Sequence, residues 1–170
     1  MDNPTGKQDM TETHFADPRA VYTLTAPPNW DVDASGLDDG LLIATSREPW
    51  TAGFHPNIVI TQVDLGEHPE TPDATLADQR GAEPLLARTL ADYRLLHLDR
   101  ERVGAPPVQG VMRSASYTND DGTPVMLHQW VARTAGKEVA MTITFATPDM
   151  PHWASGSWVI AELLEWQTAR

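Results

Sequence analysis

Hydrophobic and polar positions alternate most cleanly near the end of the second half of the chain. From Glu138 to Thr147, Val139, Met141, Ile143 and Phe145 fall on one face, and Ala140, Thr142 and Thr144 on the other. That two-residue period is the mark of a strand buried on one side. Three runs of similar length precede it: Tyr93–Val103, Val108–Thr118 and Pro124–Arg133. The links between the runs are short and rich in turn formers, namely Ala105-Pro106-Pro107, Asn119-Asp120-Asp121-Gly122 and Thr134-Ala135-Gly136-Lys137. Asp-Gly suits tight reversals because glycine accepts positive φ without steric strain. Parallel pairing would need crossovers of a dozen residues or more, so these links predict an antiparallel four-stranded meander.

The first half is less regular. Val21–Ala26 is a short β-type run stopped by Pro27-Pro28, and Leu41–Ser46 is a second. Asn57–Leu65 is dominated by β-branched residues and predicts a third strand. A helix follows, with Asp73 or Thr75 as its cap and Leu76, Ala77 and Arg80 on its first turns. Gly81 and Pro84 interrupt it, so the pattern predicts a break, with Pro84 opening a second piece that buries Leu85, Leu86, Thr89 and Leu90. A last helix is expected within Pro148–Arg170, with Asp149 as cap and Trp153, Ile160, Leu163 and Leu164 toward the sheet. Residues 1–18 read as a flexible acidic tail and 19–170 as a single α+β domain. Its predicted fold is a single antiparallel β-sheet of about six or seven strands packed by helices, in the order β-β-β-α-β-β-β-β-α.

Composition narrows the function. The 170 residues carry 12 basic and 24 acidic side chains, a net charge of −12, which works against any surface meant to neutralise phosphates or an anionic leaflet. Nucleic acid and membrane are therefore not the expected partners. Residues 1–85 hold 15 of the acids and only 4 basic residues, an asymmetry that can orient a protein partner. Without cysteine there is no disulfide framework, thiolate zinc site or cysteine nucleophile. The polar stretch over residues 1–14 lacks the apolar core of a signal peptide, so a cytoplasmic location is expected.

Three local patterns bear a resemblance. The opening strand ends in Pro and Trp (LTAPPNW, Leu24–Trp30), a later strand is announced by Pro-Asn (FHPNIVITQVDL, Phe54–Leu65), and a small-to-apolar hairpin series runs from Val108 to Phe145. With the element order, these resemble the PsbP-like superfamily, which includes the Ran-binding Mog proteins, PsbP and the LpqN-type lipoproteins; the second pattern looks most like the LpqN branch. With a polar start and no Cys, the chain is expected to depart from LpqN-type proteins, which carry a signal peptide and an acylated Cys. The resemblance implies a non-enzymatic, protein-binding domain of adaptor or chaperone type.

Candidate chemistry is sparse. Asp31-Val32-Asp33-Ala34-Ser35-Gly36 matches the start of a calcium loop, but Leu42 stands where a bidentate Glu is needed, so an acidic turn between strands is expected. The six histidines form no metal-binding spacing, although His97 and His128 fall on strands of one sheet. There is no nucleophile elbow and no phosphate loop. No catalytic residue, metal or cofactor is therefore assigned, and the chain is not expected to be an enzyme. The six tryptophans are more informative, because Trp is enriched among interface anchors. Trp50, Phe54, Trp158 and Trp166 are the candidate contacts to a partner protein, with a homodimer as one candidate assembly. The alternative is a pocket for a small apolar ligand between helix and sheet, lined by Met112, Met126, Trp130 and Met141.

Overall fold

The computed structural model describes residues 13–162 and 164–167. The meander forms as expected: β6 (Ala91–Val103), β7 (Val108–Thr118), β8 (Pro124–Thr134) and β9 (Lys137–Ala146) pair in sequence. On the far side of β9 lie β5 (Asn57–Asp64), β4 (Leu41–Ser46) and β3 (Trp30–Asp33), which completes a seven-stranded antiparallel sheet ordered β3-β4-β5-β9-β8-β7-β6. The fold is thus α+β, as the alternation predicts.

A second sheet was not anticipated. Its three strands, β1 (Thr13–Ala16), β2 (Tyr22–Ala26) and β10 (Leu164–Trp166), are ordered β1-β2-β10. Residues 13–16, read as tail, pair with β2, whereas residues 1–12 lie outside the described part. The sequence pattern predicts helix through Leu164 and Trp166. They belong instead to a strand in which both are buried and Glu165 between them is exposed. Three apolar-polar-apolar residues fit either period, and packing against Tyr22 and Leu24 decides for the strand. The side chain of Ile160 and residue Leu163, counted toward the same helix face, lie outside the described part.

The core fills the space between the two sheets. Tyr22 and Leu24 of β2 and Leu164 of β10 meet Leu42, Ile58, Ile60, Met112, Met126, Trp130, Met141, Ile143 and Phe145 of the large sheet. Helix α2 (Met150–Glu162) adds Trp153 and Ala161 to this layer.

Helix α1 (Pro72–Thr89) crosses the opposite face and is attached differently from expectation. Only Thr75 and Leu76 are buried along it, and Leu85 is 59% exposed. Its anchors are polar. Arg113 of β7 donates from Nε to Glu83 at 2.8 Å and from Nη2 to the Gln79 carbonyl at 2.9 Å, and it also bonds Gln129. Tyr93 donates its hydroxyl to the other Glu83 oxygen at 2.9 Å. Arg133 reaches Asp78 at 2.6 Å, Glu138 at 2.8 Å and the Pro69 carbonyl at 3.2 Å.

Pro84 does not divide the helix. Pro84 and Arg80, whose carbonyl loses its partner, are both exposed, so the lost bond falls on the solvated side. Ion pairs through Asp78 and Glu83 hold the turns that lead into Pro84 against the sheet. The cap is Thr71, whose hydroxyl accepts from Ala74 N at 3.3 Å, instead of Asp73 or Thr75. Thr71→Ala is expected to lower stability by about 1 kcal/mol in urea unfolding, the ordinary loss for an N-cap.

The acidic loop is occupied by protein partners. Asp31 pairs with Arg47 (Nε to Oδ1, 2.7 Å), Asp33 accepts from Ser35 N at 2.9 Å, and Asp38 bonds Arg19. Leu42, at the position a calcium loop gives to Glu, is in the core.

Candidate functional site

Aromatic side chains gather along α2. At its N-terminal end Trp153 lies within 6.0 Å, ring centre to ring centre, of both Trp30 and Phe145. Trp50 packs over this group, 5.3 Å from Trp153 and 4.5 Å from His152, and stays 36% exposed. Its loop is tied to the start of the helix by Asp149, whose carboxylate accepts from the Thr51 backbone N at 3.2 Å and from the Thr51 hydroxyl. Phe54 closes the same loop: its carbonyl accepts from Trp50 N at 2.7 Å, and its ring is half-buried. Two of the four expected contacts therefore share one pinned loop.

Trp158 lies further along α2. Its ring meets Trp130 edge to face at 5.5 Å, and 38% of the residue is exposed, beside Val159 at 58%. Trp130 is fully buried, so it gives Trp158 a rigid seat. Helix α2 packs on β8, β9 and β10. Between it and the β6–β7 link is a cleft of about 600 Å³, lined by Glu101, Arg102, Gly104, Ala105, Pro107, Trp158, Ala161 and Glu162. The wall is apolar where Trp158, Ala161, Ala105 and Pro107 meet, and the lip is charged.

Gly104 shapes the floor of this cleft. Its φ is +73°, and a Cβ there would stand 2.5 Å from Trp166 Nε1 and 2.6 Å from the Leu164 carbonyl. Glycine thus lets β10 close against the β6–β7 link. Trp166, expected as an exposed contact, is the packing partner at that junction. It is 8% exposed and donates Nε1–H to the Val103 carbonyl at 2.9 Å.

The methionines named for a ligand pocket are core residues. Met112, Met126 and Met141 are at most 3% exposed and lie with Trp130 in the layer between the sheets. What opens beside them is the cleft at Trp158, a site that the short Gly104–Pro107 link and the α2 spacing did not disclose.

Sequence reading also missed a buried polar pair. His128 Nδ1 and Ser157 Oγ are 2.7 Å apart, with His128 7% exposed and Ser157 not at all. Burial drives the His128 pKa down to about 4, so the ring is neutral near pH 7. Strand pairing sets His97, Ser114 and His128 in one row across β6, β7 and β8, with Ser114 between the two histidines.

Shape comparison places this architecture. No family model matches the chain, and no curated protein matches its sequence. Solved structures do. The cyanobacterial PsbP of Synechocystis is 13% identical with a TM-score of 0.61, over 98% of each chain. LpqN of Mycobacterium tuberculosis, involved in cell envelope biogenesis, is 13% identical with a TM-score of 0.58, over 93% of this chain and 91% of that one. The Ran-binding protein Mog1p of Saccharomyces cerevisiae is 16% identical with a TM-score of 0.52, over 91% and 85%.

The chain has the PsbP-like fold.

The strand signatures at Leu24–Trp30 and Phe54–Leu65 therefore pointed to the right architecture. Identities this low speak for the fold and leave the role to the residues. Within the PsbP-like frame of this chain, the aromatic margin of α2 combines exposed rings, a rigid seat and a cleft. The His128–Ser157 pair lacks what nucleophilic catalysis needs: Ser157 is sealed from solvent, and no carboxylate orients the imidazole among the described residues. It is a bolt between α2 and β8. Also among the described residues, no three His, Asp or Glu side chains are placed to hold a metal, and no helix is long and apolar enough to cross a membrane.

Proposed function

We propose that this PsbP-like domain is a non-enzymatic protein-binding module that grips its partner along α2, with Trp158 and its cleft as the anchor and Trp50 as a second contact. The observation that carries the reading is the half-exposed Trp158 ring seated on buried Trp130 at the mouth of the cleft. A large ring held rigid before binding loses little side-chain freedom on association, which is why tryptophans of this kind dominate interface energetics. The Ran-binding neighbour shows that this fold is compatible with protein recognition. The acidic first half would select partners with a basic face. A cytoplasmic setting is part of the proposal and agrees with a chain free of cysteine.

The second reading, a small apolar ligand, moves from the methionine cluster to the cleft, whose volume falls in the range of ligand sites. One experiment separates the two. A partner recovered from the source cells by crosslinking is purified and titrated against the wild-type domain and against Trp158→Ala. Loss of about 2 kcal/mol, near thirtyfold in affinity, is expected for an anchor of this type. An unchanged affinity for Trp158→Ala would remove the anchor from the account. Release of a small molecule on denaturation, with no partner protein recovered, would favour the ligand reading.

A further inference from the structure

The longest strand of the protein is also an edge. β6 runs 13 residues, from Ala91 to Val103, at the end of the seven-stranded sheet, and no described strand pairs with its outer side. Most of it is exposed, including Leu95 at 41% and Leu96 at 59%. A long edge with bare leucines is a template for another strand unless something blocks it.

The register of β6 against β7 selects the occupant. Leu95 pairs with Ala115 and His97 with Ser114, so Leu96 is an extra residue, a bulge that matches nothing on β7. Leu95 and Leu98 stand opposite Ala115 and Arg113, two residues apart on β7. They therefore share one face and one hydrogen-bonding direction. Arg94 and Asp99 stand opposite Ser116 and Met112, at alternate positions of β7 on its other face, and they share that face in turn.

We propose that two copies of this chain pair antiparallel along β6 about a two-fold axis between Leu96 and His97. In that register Leu95 faces Leu98 of the other copy, Arg94 faces Asp99, and Leu96 faces His97, each pair occurring twice. A straight strand from another protein would meet the bulge as a mismatch, whereas a second copy carries the same extra residue and matches it. Charge points the same way. Beyond the bulge one face of β6 carries Arg100 and Arg102 and the other Asp99 and Glu101, so pairing centred there would set like charges opposite each other. Crossing the Leu96 bulge brings Arg94 opposite Asp99. The like pair of this register, Asp92 with Glu101, falls at a second irregularity between Ala91 and Arg94, where Asp92 has a φ of +55° and accepts a hydrogen bond from the Thr118 hydroxyl of its own chain. The pairing centres on Leu96 and His97, whereas the α2 cleft meets β6 only at Glu101 and Arg102. Reversals at Arg94 and Asp99 leave the cleft lining unchanged, so dimer formation and partner binding are read separately.

The test uses the full chain in sedimentation equilibrium, with circular dichroism to check that each variant folds. Arg94 and Asp99 are exposed, so single reversals should leave the fold intact. Wild type is expected to dimerise with concentration. Arg94→Asp alone and Asp99→Arg alone should each weaken dimerisation at least about tenfold, because each sets two like-charge pairs across the axis. Mixing the two variants should restore association, since both pairs are then opposite in sign. A wild type that stays monomeric at the highest attainable concentration overturns the proposal. So do variants that dimerise as wild type does, and a mixture that fails to associate.

Discussion

Glu83→Ala is expected to destabilise the protein by about 3 kcal/mol, far more than an ordinary surface substitution. The reason lies in Arg113, whose side chain is only 4% exposed. Its guanidinium keeps bonds to Gln129 and the Gln79 carbonyl without Glu83, but the balancing charge is gone and the Tyr93 hydroxyl loses its acceptor. A buried charge stripped of its counter-ion is among the costliest single changes, and the two surviving bonds hold the loss to the lower end of the range. In a domain of this size the melting temperature should fall by about 6–12 °C.

Asp73→Asn is the matching control. It breaks the Arg100–Asp73 pair, whose side chains are 56% and 69% exposed, and screened pairs of that kind contribute well under about 1 kcal/mol. Calorimetry of both variants checks the contrast. Similar small losses would mean that α1 is not held by its buried ionic contacts.

The second large effect is with pH. His128 has a pKa of about 4 in the folded chain against an ordinary 6.5, because burial penalises the imidazolium. Above pH 6.5 the ring is neutral in both states, and it contributes nothing to the slope. As pH falls from 6.5 toward 4, the unfolded chain takes up a proton that the folded chain refuses, so stability declines. Below about pH 4 the folded ring also protonates and the decline attributable to His128 ends. A shift of this size corresponds to roughly 3 kcal/mol lost across the window. Carboxylates also weaken the fold in acid; Asp78, held below its usual range by Arg133, is one. The measurement is therefore a difference: urea unfolding of wild type and His128→Gln at a series of pH values. The wild type should lose about 3 kcal/mol more than the variant between pH 6.5 and 4. Parallel curves would mean that His128 ionises freely in the folded protein.

These two sites also show where sequence reading worked and where it stopped. The meander was legible because alternation in β9 and the turns at Asp121-Gly122 and Ala135-Gly136 are local signals. The three shortest strands, β1, β3 and β10, were not, since three or four residues cannot establish a period. The mounting of α1 was misread for a physical reason. Apolar spacing suggested that Leu85 and Leu86 face the sheet, but the sheet face beneath carries Arg113 and Arg133, and burying these charges requires carboxylates from the helix.

The tryptophans divide in the same way. Trp50 and Trp158 are half-exposed as expected, whereas Trp166 could be placed only by knowing that the chain turns after α2 and returns along β2. The cleft depends on a link and a helix more than fifty residues apart, and the His128–Ser157 pair on residues 29 apart, so neither left a local signature.

The most direct measurement is amide hydrogen exchange on the domain with and without its isolated partner. Binding along α2 should slow exchange at residues 101–107 and along 156–162, with a smaller effect at 50–54. Protection confined to the outer surface of α1, or none anywhere, would contradict it.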